Sequence, residues 1–245
     1  MYQERKYRNL LRSDRLVSFR VVVKETDLQV HSAQRLDNIT RDLILKYRGY
    51  IEAYIHMHQQ FAKTLKPWRI SGPAPLIVKD MAEAGEKAGV GPMAAVAGAI
   101  AERVGGDLLP HTDEVIVENG GDIFMKAGGP VTVGIFAGKS PLSLRIGLRI
   151  DSGNKPVSVC TSSGTFGHSL SLGKADAVCV VSGSCSLADA VATAVGNRVK
   201  SKKDIQPAID FGKTVNGING LLIILEDAIG IWGDVELVPL KGEKG

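Results

Sequence analysis

Glycine is confined to one part of this chain. Only Gly49 lies among residues 1–71; the other 27 of the 28 glycines begin at Gly72. Glycine serves where a backbone turns sharply or must come close to another group, so tight turns and any close-fitting site are expected after residue 71. Charge divides at the same place. Residues 1–71 carry 14 Lys and Arg against 7 Asp and Glu, whereas the remainder carries 16 against 19. Eight of the 13 aromatics also fall in the first segment. A chain of 245 residues that is 44% hydrophobic and 23% charged can bury a sizeable core. The reading is a single domain over residues 1–245, with a basic front at 1–71 and a glycine- and alanine-rich body at 72–245 that carries the site.

Several classes are set aside. No run approaches the ~18 apolar residues that span a bilayer. The polar opening residues, Met1 to Lys6, lead into no apolar signal core. The chain is therefore expected to be cytoplasmic, with no membrane partner. Three cysteines, Cys160, Cys179 and Cys185, make an odd number with no C-x-x-C pair, which argues against a disulfide framework and against zinc. A net charge of +4, with the basic residues interleaved among acids, reads as solvated helix faces and not as a nucleic-acid surface.

Residues 16–24 are rich in β-branched side chains and read as a strand, returning after a turn at Glu25, Thr26 and Asp27 through residues 28–31. With Asp37 or Asn38 as cap, Ile39, Leu43, Tyr47, Ile51, Tyr54, His58, Phe61 and Leu65 recur at helical spacing. Gly49 could kink that helix and Pro67 ends it. Helices follow at 75–87 and 93–104, the second full of alanine around Gly98. Strands are read at 114–117, 131–136, 142–150 and 157–160. The near-continuous apolar run of 175–181 reads as a central strand. Helices at 187–200 and 204–214 and a hairpin joining 221–225 to 229–232 close the chain. Strands and helices are mixed without strict alternation, so the class is α+β.

Four motifs bear on chemistry. Gly134 to Ser140 imitates a phosphate-binding P-loop, but only three residues separate its glycines and a strand follows where a helix is needed. Glu118-Asn119-Gly120-Gly121-Asp122 at a strand end is either a tight turn or bulge, or a place where the backbone approaches a ligand. Thr161-Ser162-Ser163-Gly164, followed by His168, offers hydroxyls, free amides and an imidazole that titrates near neutral pH, on what is otherwise a polar loop. Ser186 and Asp189 fit a capping box. Yet Asp189 and Thr193 lie four apart on one helix face, where a carboxylate and a hydroxyl can share a hard cation such as Mg²⁺. Cys160, ending an apolar strand, reads as a buried, inert thiol, with a nucleophile as the other reading.

In this order the motifs resemble the ApbE superfamily, the FAD:protein FMN transferases. The resemblance covers about residues 90–197 and rests on Gly98 in its alanine helix, Gly120-Gly121-Asp122, Thr161-Ser162-Ser163-Gly164, His168, and Ala188-Asp189-Ala190-Val191-Ala192-Thr193. It implies an ApbE-like, T-fold-related architecture. It also implies Mg²⁺ on Asp189 and Thr193, and FAD or FMN, or a similar nucleotide diphosphate, against Gly98, Gly120, Gly121, Asp122 and the residues from Thr161 to Gly164. His168 and Asp189 are then the catalytic pair, with an acceptor protein receiving FMN on a Thr or Ser hydroxyl. Two departures stand out. Val96-Ala97-Gly98 replaces the family's Ala-Lys-Gly, and the short segment from Ser169 to Lys174 lacks its Asp-Pro and Thr-Gly. With them the chain looks most like a cytoplasmic, functionally uncharacterised archaeal and anaerobic-bacterial branch. That branch is linked to sulfur assimilation, which implies as the alternative a non-catalytic binding or assembly protein.

Overall fold

The computed structural model describes residues 16–153, 155–164 and 172–240. β1 (Val17–Val23) and β2 (Thr26–Ser32) form the expected hairpin. Its turn is one residue tighter than the sequence suggests: Val23 pairs with Thr26, and Lys24 takes the left-handed φ of 52°. Thr26 and Asp27 thus belong to β2, and Arg20 Nε donates to Asp27 across the pair at 2.7 Å. α1 (Asp37–Met57) runs unbroken through Gly49. Its N-cap is Leu36 with no side-chain cap, so neither Asp37 nor Asn38 takes that role. The helix ends two turns before Leu65. A 3-10 turn (Gln59–Ala62) folds back so that buried Phe61 meets the Tyr54 and Trp68 rings at 5.0 and 5.9 Å. Burial of those rings requires the reversal, and it leaves Leu65 outside at 60% exposure.

α2 (Leu76–Ala88) is followed by a 3-10 turn at Pro92–Ala95 and by α3 (Val96–Leu108). Next come β3 (Val115–Asn119), β4 (Asp122–Lys126), β5 (Val131–Gly134), β6 (Ile146–Ile150), β7 (Val157–Ser162) and β8 (Ala177–Ser182). α4 (Cys185–Gly196), α5 (Ile205–Lys213), β9 (Ile218–Leu225), β10 (Ala228–Gly233) and β11 (Glu236–Pro239) complete the order. β4 and β11 are absent from the sequence reading. β6 is shorter than expected because Leu144, at φ 57°, turns the chain so that its amide donates to Ile135 O. No helix follows Gly134, in keeping with the rejection of a P-loop.

The strands form an eight-stranded antiparallel sheet in the order β1-β2-β3-β4-β7-β8-β9-β10 and a three-stranded sheet in the order β11-β6-β5. The basic front is therefore not a separate layer, since β2 pairs directly with β3. Side chains alternate between sheet faces. One face, with Phe124, Cys160, Val178 and Leu221, packs on the helices. The other, with Met125, Val159, Cys179 and Leu222, packs on the small sheet. β8 lies between both layers and is buried along its whole length, which explains its near-continuous apolar sequence. The architecture is α+β, as the element order predicts.

Small residues set the spacing between α3 and its neighbours. A Cβ at Gly105 would lie 2.2 Å from the buried ring of Phe124, while Gly106, one position on, is exposed with nothing near. The two glycines should respond oppositely to alanine. Gly105→Ala overpacks the α3–β4 contact and should lower unfolding stability by about 1–3 kcal/mol. Gly106→Ala removes backbone entropy in an exposed helix position and should raise it by about 0.5–1 kcal/mol. Urea unfolding of both variants beside the parent checks the pair; equal effects would contradict the packing.

Candidate functional site

α4 is the centre of the site, and ten of its 12 residues are buried. Its N-terminal amides need partners. Ser184, the N-cap, accepts from Leu187 N, and Glu102 of α3 accepts at one oxygen from Ser186 N at 3.0 Å and Ser186 Oγ at 2.8 Å. The expected Ser186–Asp189 capping box is therefore not formed: the cap lies two residues earlier, and Ser186 is held by Glu102. Asp189 reaches the other way, and Gly98 N in the first turn of α3 donates to its Oδ2 at 2.9 Å. Each helix thus closes the N-terminus of the other with a carboxylate, where the helix dipole favours negative charge. The contact is close enough that a Cβ on Gly98 would fall 2.4 Å from Cys185 O and 2.9 Å from Asp189 Cβ.

Gly120 and Gly121 form the two-residue turn between β3 and β4, with φ of 70° and 110°. Side chains other than Asn or Asp rarely adopt such a pair. Gly121 N donates to Glu118 Oε1 at 2.8 Å, and a Cβ on Gly121 would sit 3.6 Å from Thr161 O. The turn therefore lies against the end of β7. Asp122 opens β4, buried and in register with Cys160 of β7. Its Oδ1 has no hydrogen-bond partner.

The structure divides the remaining candidates. Thr161 and Ser162 are the last residues of β7 and not part of a turn. Thr161 Oγ1 donates to Cys179 Sγ at 3.4 Å, on the small-sheet face. Its hydroxyl therefore points away from Asp189. Ser162 faces α4 near Gly196. Ser163 is half-buried, and Gly164 N donates to Ala175 O. Thr193 is half-buried one turn beyond Asp189. His168 lies outside the described residues. Gly98, Asp122 and Asp189 thus come together, with the Gly-Gly turn at their edge. Asn119, which belongs to the turn motif but has no role assigned from sequence, joins them: its Nδ2 donates to Ala97 O at 3.0 Å. The one available signal was its place immediately before the two glycines.

Electrostatics single out the same group. Burial, reinforced by the neighbouring Asp189 and Glu118 carboxylates, pushes the Asp122 carboxyl well above its ordinary range, and hydrogen bonding with Cys160 does not cancel this. Burial also raises Asp189, to about 7, against the pull of the Gly98 and Ala97 amides. Cys160 and Cys185 have their sulfurs 3.5 Å apart, and burial raises both thiols. Two clefts of about 460 and 190 Å³ lie elsewhere, one between the sheets beside Arg149 and Asn219, the other beside Asp80, Glu102 and Ser186. Neither includes Gly120, Gly121 or Asp189.

Two outcomes follow. Asp122 holds its proton in the folded state at pH values where the unfolded chain has released it, so metal-free stability should fall as pH rises from about 4 toward neutrality. Asp122→Asn should flatten that decline and raise the metal-free unfolding midpoint at pH 7. Parallel pH profiles would refute this if they coincide. Cys160, fully buried with its thiol raised, should resist iodoacetamide at neutral pH until the chain is denatured; rapid stoichiometric labelling of the native protein would restore the nucleophile reading.

Comparison with known proteins agrees with this fold. The family described as AbpE bacteria matches residues 8–227. A UPF0280 protein of Methanococcus aeolicus is 37% identical over 94% of this chain and 95% of its own length. One from Methanosarcina acetivorans is 42% identical over 80% and 78%. Among solved structures, a mutant of the flavin transferase ApbE from Vibrio cholerae superposes with a TM-score of 0.54 at 12% identity, covering 89% of this chain and 97% of that one. The apbe protein from Thermotoga maritima gives 0.54 at 16%, covering 88% and 96%. At these identities the structures establish a shared fold. The sequence match establishes more: the chain belongs to the AbpE bacteria family.

Proposed function

We propose that this protein binds a flavin nucleotide or a similar nucleotide diphosphate together with Mg²⁺, where the first turn of α3, the Gly120 and Gly121 turn and α4 meet. The observation that carries the reading is the pair of carboxylates on Asp122 and Asp189, both raised by burial, with Asp122 Oδ1 buried and unpartnered. Oxygen donors in an acidic setting suit a hard divalent cation. Among the described residues no three His, Cys, Asp or Glu side chains converge as a metal cage. Asp189 and Thr193 would accordingly supply protein ligands, with the diphosphate and water completing the shell. The cation, when bound, supplies positive charge that offsets the diphosphate and the charge developing on a leaving phosphate.

The chain's own residues would do the rest. The glycine turn keeps side chains clear of the ligand, and the Gly98 amide orients the Asp189 carboxylate. As the acceptor Thr or Ser oxygen bonds the flavin-side phosphorus of FAD and the bridging P–O bond breaks to release AMP, His168 would take the hydroxyl proton. Titration of the protein with FAD tests binding. Saturation in the tens of micromolar with Mg²⁺, weakened at least about tenfold by chelation or by Asp189→Ala, is expected; no binding, or binding indifferent to both, would overturn the reading.

A second reading retains the site without transfer. Its support is the replacement of the family's lysine by Val96-Ala97-Gly98 and the short segment between His168 and α4. In that case the protein is a binding or assembly partner. Incubation with FAD, Mg²⁺ and a Thr- or Ser-bearing acceptor peptide separates the two: covalent flavin on the peptide excludes the non-catalytic reading.

A further inference from the structure

Asn119 and Asp189 grip the same peptide unit from opposite ends. Asn119 Nδ2 donates to Ala97 O at 3.0 Å, and Gly98 N donates to Asp189 Oδ2 at 2.9 Å. The carbonyl and the amide belong to the one bond that joins Ala97 to Gly98. We propose that Asn119 is a positioning residue of the site: it fixes and polarises this peptide so that the Gly98 amide holds the Asp189 carboxylate in one orientation. The proposal rests on the reading of Asp189 as the carboxylate that meets the cation.

Three observations favour this over a simple strand-end hydrogen bond. Asn119 is only 8% exposed, and it is fixed in the sheet by pairing with Leu28 on one side and Asp122 on the other, so its side chain is anchored before it reaches α3. Gly98 is packed directly against α4, because Cys185 O and Asp189 Cβ stand within the space a Cβ would need. Finally, a hydrogen bond accepted at a peptide oxygen strengthens the donor at the same peptide's nitrogen, and chains of such bonds reinforce one another in a low-dielectric interior. Asn119 is therefore the point at which the Gly-Gly turn and the Asp189 carboxylate are mechanically and electrically joined. Leucine matches asparagine in size and shape but has no donor, so Asn119→Leu removes the grip with little change in volume.

The full chain, labelled with ¹⁵N, gives the test. In Asn119→Leu the Gly98 amide proton should move upfield and exchange about tenfold faster, as expected for loss of one buried hydrogen bond. Amides of the central strands β8 and β9 should keep their exchange rates, which a general loss of structure would not allow. Coupling through one peptide must be reciprocal. Asp189→Asn, in a chain that retains Asn119, should therefore shift the Asn119 side-chain NH₂ pair, and this second variant decides the matter if Asn119→Leu fails to fold. Mn²⁺ in the presence of pyrophosphate, followed by electron paramagnetic resonance, should bind several-fold more weakly to Asn119→Leu than to the parent. An unchanged Gly98 resonance and exchange rate in Asn119→Leu would overturn the proposal, as would an unmoved Asn119 pair in Asp189→Asn. If the parent itself binds no Mn²⁺ under these conditions, the proposed function fails, while the amide signals still decide the role of Asn119.

Discussion

The rest of the site depends on the contact where Gly98 brings the backbone of α3 against the first turn of α4. Nothing larger than glycine fits there, since a Cβ would meet the Cys185 carbonyl at 2.4 Å. The close approach lets two helices share their polar ends. Glu102 of α3 receives the amide of Ser186, and Asp189 of α4 receives the amide of Gly98. Each carboxylate meets a helix N-terminus, where it is stabilised, and each satisfies an amide that burial would otherwise leave without a partner. The exchange fixes the relative position of the two helices and carries Asp189 to the edge of the sheet beside Asp122.

That placement has an electrostatic consequence. Asp122 is introduced from the sheet by the glycine turn and Asp189 from the helix layer, and both enter the same low-dielectric region. Loss of water raises both, and the Asp189 carboxylate raises Asp122 further. Without a ligand such a pair opposes the folded state above the ordinary carboxylate range. A fold that keeps it is explained if a cation offsets the charge when ligand is present, and the site then contributes its stabilisation through binding. The thiols of Cys160 and Cys185 complete the buried surroundings, held protonated by the same desolvation.

Much of this was legible in the sequence, for definite reasons. Gly120 and Gly121 announce a turn because only such residues take two successive positive φ angles readily, and they do so here. The apolar run of β8 is a strand buried on both faces. The order from Gly98 through Gly-Gly-Asp to Asp189 and Thr193 carried the family, which the match over residues 8–227 bears out. Legibility ended where roles depend on contacts distant in sequence. Asp189 looked like the partner of Ser186, yet it caps a helix that begins 93 residues earlier. Thr161 looked like part of a binding turn, but strand alternation sends its hydroxyl to Cys179. Asn119 carried no motif of its own; its meaning comes from Ala97, 22 residues away. β4 was hidden because its five residues follow the turn with an acid at the start and a lysine at the end.

The central claim is that a divalent cation carrying a diphosphate binds at Asp189, beside the buried Asp122 carboxyl. Anomalous diffraction from crystals grown with Mn²⁺ and FAD tests it most directly. The account predicts one manganese peak within coordination distance of the Asp189 carboxylate, adjoining the flavin diphosphate. Flavin bound with its diphosphate away from α4, or manganese bound only elsewhere on the molecule, would contradict it.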